Sequence, residues 1–321
     1  MMKSHMLAHC TDGIAIKRSN QWRLDYLNFP YLIDCSMNEL TRRFGDIQAN
    51  YCTTTDVGQL GLLKADANGF FWMSRMTHAM EEFNLRGGIP TGLPKPPHFP
   101  VATHPDSPSG AKILQGRPLR PGPFLIKLAK KAHSEGLFRE GLIRISPASS
   151  WSAGHLSTAV QDDELNFEIS IAEGETLNER IGNAEPSDDH GGRCAQRTRM
   201  SLRCDDYYAY CMTLGYDYRL LDNFGYDSFV VIYDVGDFAK RLAGAVRAAR
   251  PELRMDARNV NYFDPYFCAT WQLKQGFSKH FRYAYQKEWR FIWPMTARES
   301  SNDAFFVRLG SLEGIASLYT L

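Results

Sequence analysis

Apolar residues change their period along this chain. Met73, Met76, Met80 and Phe83 recur at helical spacing, which predicts a helix packing a methionine stripe into the core. Gly87-Gly88 stops that helix before Pro90. Residues 20–35 carry Trp22, Tyr26, Phe29 and Tyr31, suited to a core or to a partner surface. Within residues 124–139, Phe124, Leu125, Leu128, Ala132 and Leu137 fall partly in helical register. Gly141-Leu-Ile-Arg-Ile-Ser146 alternates as a short strand does, Tyr207 to Met212 reads as another, and Ser228 to Tyr233 as a buried one. Asp234 or Asp237 then caps a helix with Phe238, Leu242, Val246 and Ala249 on one face, ended by Pro251. Lys240, Arg241, Arg247 and Arg250 lie elsewhere on it, as a solvated basic face or as phosphate contacts. Further strands are expected over 284–293, 304–309 and 315–319, and loops over the polar stretch 156–203.

Ten of the sixteen prolines fall between Pro90 and Pro123. Proline fixes φ and lacks a donor, so residues 89–123 read as a linker or a strap rather than a regular element. The chain therefore divides into a mainly helical region 1–88, the proline-rich stretch, and a strand-rich region 124–321. Many strands with few intervening helices give an α+β fold rather than a doubly wound sheet.

Composition narrows the function classes only a little. The 321 residues are 44% hydrophobic and 23% charged, with a net charge of +1, so no global charge directs the chain to nucleic acid or to a membrane surface. No run of about 18 apolar residues occurs, and the N-terminus lacks the pattern of a signal peptide. The cysteines number seven and show no C-x-x-C spacing. Reduced thiols and a cytoplasmic location are the expectation.

The most informative segment is 285–293, read as one strand. One face presents Gln286, Glu288, Arg290 and Ile292; the other presents Tyr285, Lys287, Trp289, Phe291 and Trp293. The second face belongs on a core. The first is costly to bury unless its groups satisfy one another or face a cleft. It is either a Glu288–Arg290 pair on a solvent-exposed face, or a catalytic carboxylate with an amide two residues before it.

Gln286-Lys287-Glu288, followed by apolar residues and Pro294, resembles the Q-x-E strand of ADP-ribosyltransferases. A wider resemblance over roughly 124–294 is to uncharacterised bacterial families that include phage-defence (abortive-infection) proteins. It is carried by Lys127, by Gly141 to Ser146 with Arg144, by Cys211-Met212-Thr213, Phe229 to Ile232 and Lys279, and by Tyr285 to Arg290. Thr213 precedes Leu214, where arginine-type transferases have Ser-Thr-Ser. The resemblance implies a two-sheet ADP-ribosyltransferase-like core, NAD+ as co-substrate, a nucleic-acid or protein acceptor, and an antitoxin or regulatory partner. On it, Glu288 stabilises the ribosyl cation, Gln286 orients the acceptor, and Thr213 holds the ribose. Arg144 or Lys127 grips the pyrophosphate, Arg290 is a further contact to the cofactor, and Tyr218 (or Tyr210 or Tyr216) stacks on nicotinamide.

Two other functions stay open. Asp162, Asp163 and Glu164 supply carboxylates for a metal-dependent nuclease. The aromatic N-terminal segment suits a non-enzymatic binding protein. No P-loop, G-x-S-x-G or Rossmann glycine pattern is present.

Overall fold

Helices α1 (Arg18–Asn28), α2 (Met37–Tyr51) and α3 (Ala67–Leu85) make up the regular structure of the N-terminal part. The computed structural model describes residues 17–55, 59–93, 109–114, 117–152, 163–172, 197–268, 272–295 and 303–321. The Asp66 carboxylate caps α3 by accepting from the Gly69 amide at 3.0 Å. Of the expected stripe on α3, Phe83 is buried, Met73 and Met76 are half-buried and Met80 is exposed; Trp72 and Ala79 complete a buried face rotated from the stripe. Polar pairing explains the rotation, because Glu81 and Glu82 lie on the buried side and each has a partner. Arg23 donates to Glu81 at 2.8 Å, while the Tyr26 hydroxyl and Arg86 donate to Glu82. Arg86 also donates to the carbonyls of Leu32, Ile33 and Cys35, which ties the α1–α2 connection to the end of α3. Of the N-terminal aromatics, Tyr26 and Tyr31 are core residues and Phe29 faces outward.

The chain forms two compact units whose limits interleave: Met1–Tyr51, Leu62–Phe99 and Ile171–Thr198 make one, and Cys52–Gly61, Pro100–Ser170 and Arg199–Leu321 the other. Residues 94–108 and 115–116 of the proline-rich stretch lie outside the described residues.

The second unit begins with β1 (Cys52–Thr54) and β2 (Leu60–Leu62), which pair, and continues through helix α4 (Ser109–Ile113). Then come β3 (Leu125–Ala129), α5 (Lys131–Glu140) and β4 (Leu142–Pro147). Strands β5 (Asn166–Ala172) and β6 (Arg197–Arg203) pair within the stretch read as loops, and β7 (Tyr207–Thr213) follows. Beyond it lie α6 (Leu220–Phe224), β8 (Ser228–Ile232), α7 (Val235–Ala249), β9 (Asp256–Asn259), β10 (Asn261–Phe263) and β11 (Ser278–His280). The chain closes with β12 (Glu288–Pro294), β13 (Phe305–Arg308) and β14 (Ala316–Thr320).

Eight strands form one sheet, and every pairing in it is antiparallel. That pattern is the α+β arrangement and not a doubly wound one. Leu125–Ala129 is strand rather than helix because β3 lies in register with β8 along its length and touches β7 at Ile126. Sheet pairing overrides the local helical spacing. The helix starts only at Lys131 and ends at Gly141, where φ is +61° and a Cβ would stand 2.4 Å from the Gly310 carbonyl oxygen.

The sheet forks at β7. One edge of β7 pairs with β12 throughout, from Glu288↔Thr213 to Pro294↔Tyr207. The other edge meets β4 at Ser146↔Ala209 and β3 at Ile126↔Thr213. The limbs continue as β4–β13 and β3–β8–β14. Against one face of the sheet, α7 packs Phe238, Leu242 and Val246 with Tyr210, Met212, Phe291 and Trp293. The opposite face of β7 and β12 carries the chemistry.

Candidate functional site

Strand β12 begins at Glu288, not at Tyr285. Phe281–Gln286 is a single 3-10 segment, and Lys287 closes it in the left-handed region at φ 47°. Gln286 and Glu288 are therefore not alternate residues of one strand. The turn is held by Thr213, whose hydroxyl donates to the Gln286 carbonyl at 2.7 Å. The Gln286 side chain still returns to Glu288, because Lys279 Nζ donates to Gln286 Oε1 at 3.1 Å and to Glu288 Oε1 at 2.7 Å.

Trp289, Phe291 and Trp293 pack on the α7 side, as their alternation requires. Glu288 and Arg290 point the other way and are both buried. They do not form a solvent-exposed pair. They belong to a closed ring of four charges, two of each sign. Arg290 donates from Nε to Glu288 at 2.8 Å and from both terminal nitrogens to Glu164, each at 2.6 Å. Lys279 closes the ring, 2.7 Å from Glu288 and 3.0 Å from Glu164. The Gly276 carbonyl also accepts from Arg290 at 3.0 Å. Gly276 lies at φ +71°, and a Cβ there would stand 2.8 Å from Ile292 Cδ1, so only glycine lets this backbone approach so closely. The Tyr262 hydroxyl accepts from the Glu288 amide at 2.8 Å.

Burial opposes ionisation of the Glu288 carboxyl, but the charges and hydrogen bonds of Arg290 and Lys279 outweigh it and hold the group at about 2. Glu164 is shifted downward by the same balance of burial against Arg290 and Lys279. The two carboxylates differ in saturation. Glu164 receives both Arg290 nitrogens and Lys279, with the Tyr207 hydroxyl at 3.4 Å, and its side chain is 1% exposed. Glu288 receives one donor on each oxygen, and its side chain is 11% exposed. A carboxylate offers roughly four acceptor positions.

The other residues read as ligand contacts are placed differently. Lys127 lies on the α7 side of the sheet, 4.5 Å over the Tyr210 ring, and donates to the Cys211 carbonyl at 2.8 Å. Cys211 falls in the fork, between the residues of β7 that β3 and β4 reach in register, and the ammonium fills that gap. Arg144 alternates with the core residues Ile143 and Ile145. It therefore shares the Glu288 face, and its guanidinium is exposed beside Phe306, its 61%-exposed cross-strand neighbour on β13. Arg290 is fully buried with every nitrogen engaged inside the protein, which leaves none facing a cofactor. Tyr218 packs edge-on against Tyr216 at 5.4 Å, in the cluster around Phe229, and Tyr210 belongs to the α7 side. Alternation puts that cluster, with Ile126 and Val231, on the sheet face opposite α7, the face that Glu288 shares, and leaves Tyr210 on the other.

Of the acidic trio, Asp162 lies outside the described residues, Asp163 accepts from Asn166 at 2.6 Å, and Glu164 is taken up by the ring. Among the described residues no three His, Cys, Asp or Glu side chains converge as a metal site would need. Nor does any helix among them have the length and apolarity to cross a membrane. Glu164 as a partner of Arg290, Gly276, Tyr207 and Tyr262 around the ring, and Phe306 beside Arg144 are among the site residues that the sequence pattern did not indicate. No family model, curated protein or solved structure matches the chain.

Proposed function

We propose that the chain transfers ADP-ribose from NAD+ to a nucleic-acid or protein acceptor, with Glu288 as the carboxylate facing the reacting ribose. The observation that carries this reading is the inequality of the two ring carboxylates: Glu164 is saturated and enclosed, while Glu288 is ionised, unsaturated and partly open. An anion held in that state is suited to a developing cation. In the transfer, the bond between C1′ of the ribose and nicotinamide breaks, and its electron pair leaves with nicotinamide. Positive charge builds on the sugar, as in glycoside cleavage. The acceptor nucleophile then bonds to C1′ and releases its proton. Glu288 accepts from a ribose hydroxyl and stabilises the cation. The Gln286 carboxamide, beside it through Lys279, lies where an acceptor is oriented. Arg144 offers a free fork for a phosphate on the same sheet face. Thr213 supports this arrangement by tying down the turn that carries Gln286. A role as a bacterial toxin or antiphage effector with a neutralising partner rests on the family resemblance.

The test is incubation with NAD+ labelled in the adenosine, with RNA, DNA and protein as separate acceptors. Label on one acceptor class and stoichiometric release of nicotinamide are expected. A folded protein that releases no nicotinamide in any mixture overturns the reading.

A further inference from the structure

Glu164 and Glu288 compete for one guanidinium. An arginine and a carboxylate prefer two parallel hydrogen bonds, which only the terminal nitrogens, or one of them with Nε, supply in a fork. Here Glu164 holds both terminal nitrogens at 2.6 Å, and Glu288, two residues before Arg290 on the same strand face, holds Nε alone. Lys279 reaches both carboxylates and fixes their separation. The ring is neutral in sum, so each member is compensated while Glu288 keeps acceptor positions unused.

We infer that Glu164 is a positioning residue: by engaging both ends of the Arg290 fork it keeps Arg290 from clamping Glu288 and leaves the Glu288 carboxylate open to a ligand hydroxyl. Glu164 itself touches no ligand, since its side chain is enclosed. This deepens the transfer reading and depends on it for the catalytic consequence, but the geometry of the clamp does not depend on it. Without Glu164, the terminal nitrogens have Glu288 as the nearest anion, and a bidentate clamp uses up the positions that the substrate needs. The loss falls on the transition state, where the ribose hydroxyl leans hardest on the carboxylate.

The decisive experiment pairs kinetics with crystal structures of Glu164→Gln. The variant is expected to lose 10-fold to 100-fold in kcat for NAD+, with KM changed less than about 3-fold, by the logic of an interaction made chiefly in the transition state. Its crystal structure is expected to show Arg290 bidentate on Glu288. The double variant Glu164→Gln/Arg290→Met removes the clamp together with its restraint, and recovers part of kcat per folded molecule relative to Glu164→Gln. A merely structural Glu164 gives no such recovery. If Glu164→Gln does not fold, Glu164→Asp retains the charge at a shorter reach and is expected to give a partial shift of Arg290 toward Glu288 with a correspondingly smaller loss of kcat. An Arg290 that stays in place in either crystal structure, or a folded variant with wild-type kcat, overturns the inference. A wild-type protein without NAD+ turnover instead overturns the transfer reading, and the crystal structures still decide what Glu164 does.

Discussion

Arg290 places both of its terminal nitrogens 2.6 Å from Glu164, a residue 126 positions earlier, and gives its near neighbour Glu288 only Nε. Every other feature of the candidate site depends on this division. It sets which carboxylate is enclosed and which is open, and it brings the loop before β5 onto the face of β7 and β12.

Removing Arg290 is expected to be severe. Arg290→Met leaves two buried carboxylates facing a single lysine, and breaking a buried pair on one side costs about 3–5 kcal/mol. For a domain of this size, that corresponds to a fall in Tm of roughly 6–20 °C, measurable by calorimetry. Arg241→Ala is the control. Arg241 pairs with Asp237 one helical turn away, at side-chain exposures of 35% and 34%, and its loss should cost about 0.5 kcal/mol or less. Equal shifts for the two variants would show that the ring does not stabilise the fold.

The ring also sets an acid limit. The folded-state Glu288 carboxyl lies near 2, below its ordinary value of 4.5. A depressed carboxylate contributes stability that is complete above the unfolded value and lost as pH falls through the folded one. Stability is therefore expected to decline between about pH 4.5 and pH 2, by on the order of 3 kcal/mol from Glu288. Glu164 adds to the loss in the same direction. Urea titrations at successive pH values check this. In the Glu288→Gln variant the slope over that window should be shallower.

Glu288→Gln itself separates chemistry from structure less cleanly than a surface residue would. The amide keeps size and shape but leaves the ring with one uncompensated positive charge, so a lowered Tm is expected along with a fall in turnover of roughly 10²–10³-fold. Glu288→Asp is the sharper variant. It preserves the charge balance and withdraws the carboxylate by one methylene. Turnover should fall while Tm changes by only a few degrees. Full turnover in a folded Glu288→Asp protein would remove Glu288 from the chemistry.

Local pattern revealed some of this and not the rest, for identifiable reasons. The core side of β12 was legible, because Trp289, Phe291 and Trp293 alternate and all pack with α7. The buried strand β8 and the cap at Asp234 were legible on the same grounds. The strand assignment of Gln286 failed at Lys287, since a non-glycine residue at positive φ is a tertiary outcome that spacing does not encode. The partial helical register over 124–139 holds only from Lys131, because Leu125–Ala129 pairs with β8. The methionine stripe was legible in part: Phe83 is core and Met73 and Met76 are half-buried, while Met80 turns outward on a helix that also buries Glu81 and Glu82 with partners. Glu164 gave no signal as a partner of Arg290. It lies in a polar stretch that reads as loop, and only the folded chain brings it to the ring.

The two basic residues read from the sequence as one clamp are expected to separate on mutation. Lys127 lies on the α7 side and serves the fork by donating to the Cys211 carbonyl. Lys127→Met keeps the aliphatic stem but leaves that carbonyl without its donor, at a cost of about 1–2 kcal/mol of stability. The Lys127 ammonium fills the fork of the sheet, where burial disfavours its charge and the Glu288 carboxylate favours it. Any change in KM for NAD+ should therefore be smaller than that of Arg144→Ala. Arg144 is the converse case. Its side chain is exposed on the Glu288 face, no hydrogen bond or ion pair holds it among the described residues, and Arg144→Ala should leave Tm within about 1–2 °C. If it meets a phosphate of NAD+, the substitution raises KM by roughly 10-fold, the value of one charge-assisted hydrogen bond, with kcat little changed because a uniform binding contact is removed. Arg144→Lys should recover only part of that affinity, since an ammonium lacks the planar fork. Melting curves and initial rates on the three variants settle the assignment. A KM shift in Lys127→Met with none in Arg144→Ala would place the nucleotide on the opposite side of the sheet and detach it from Glu288.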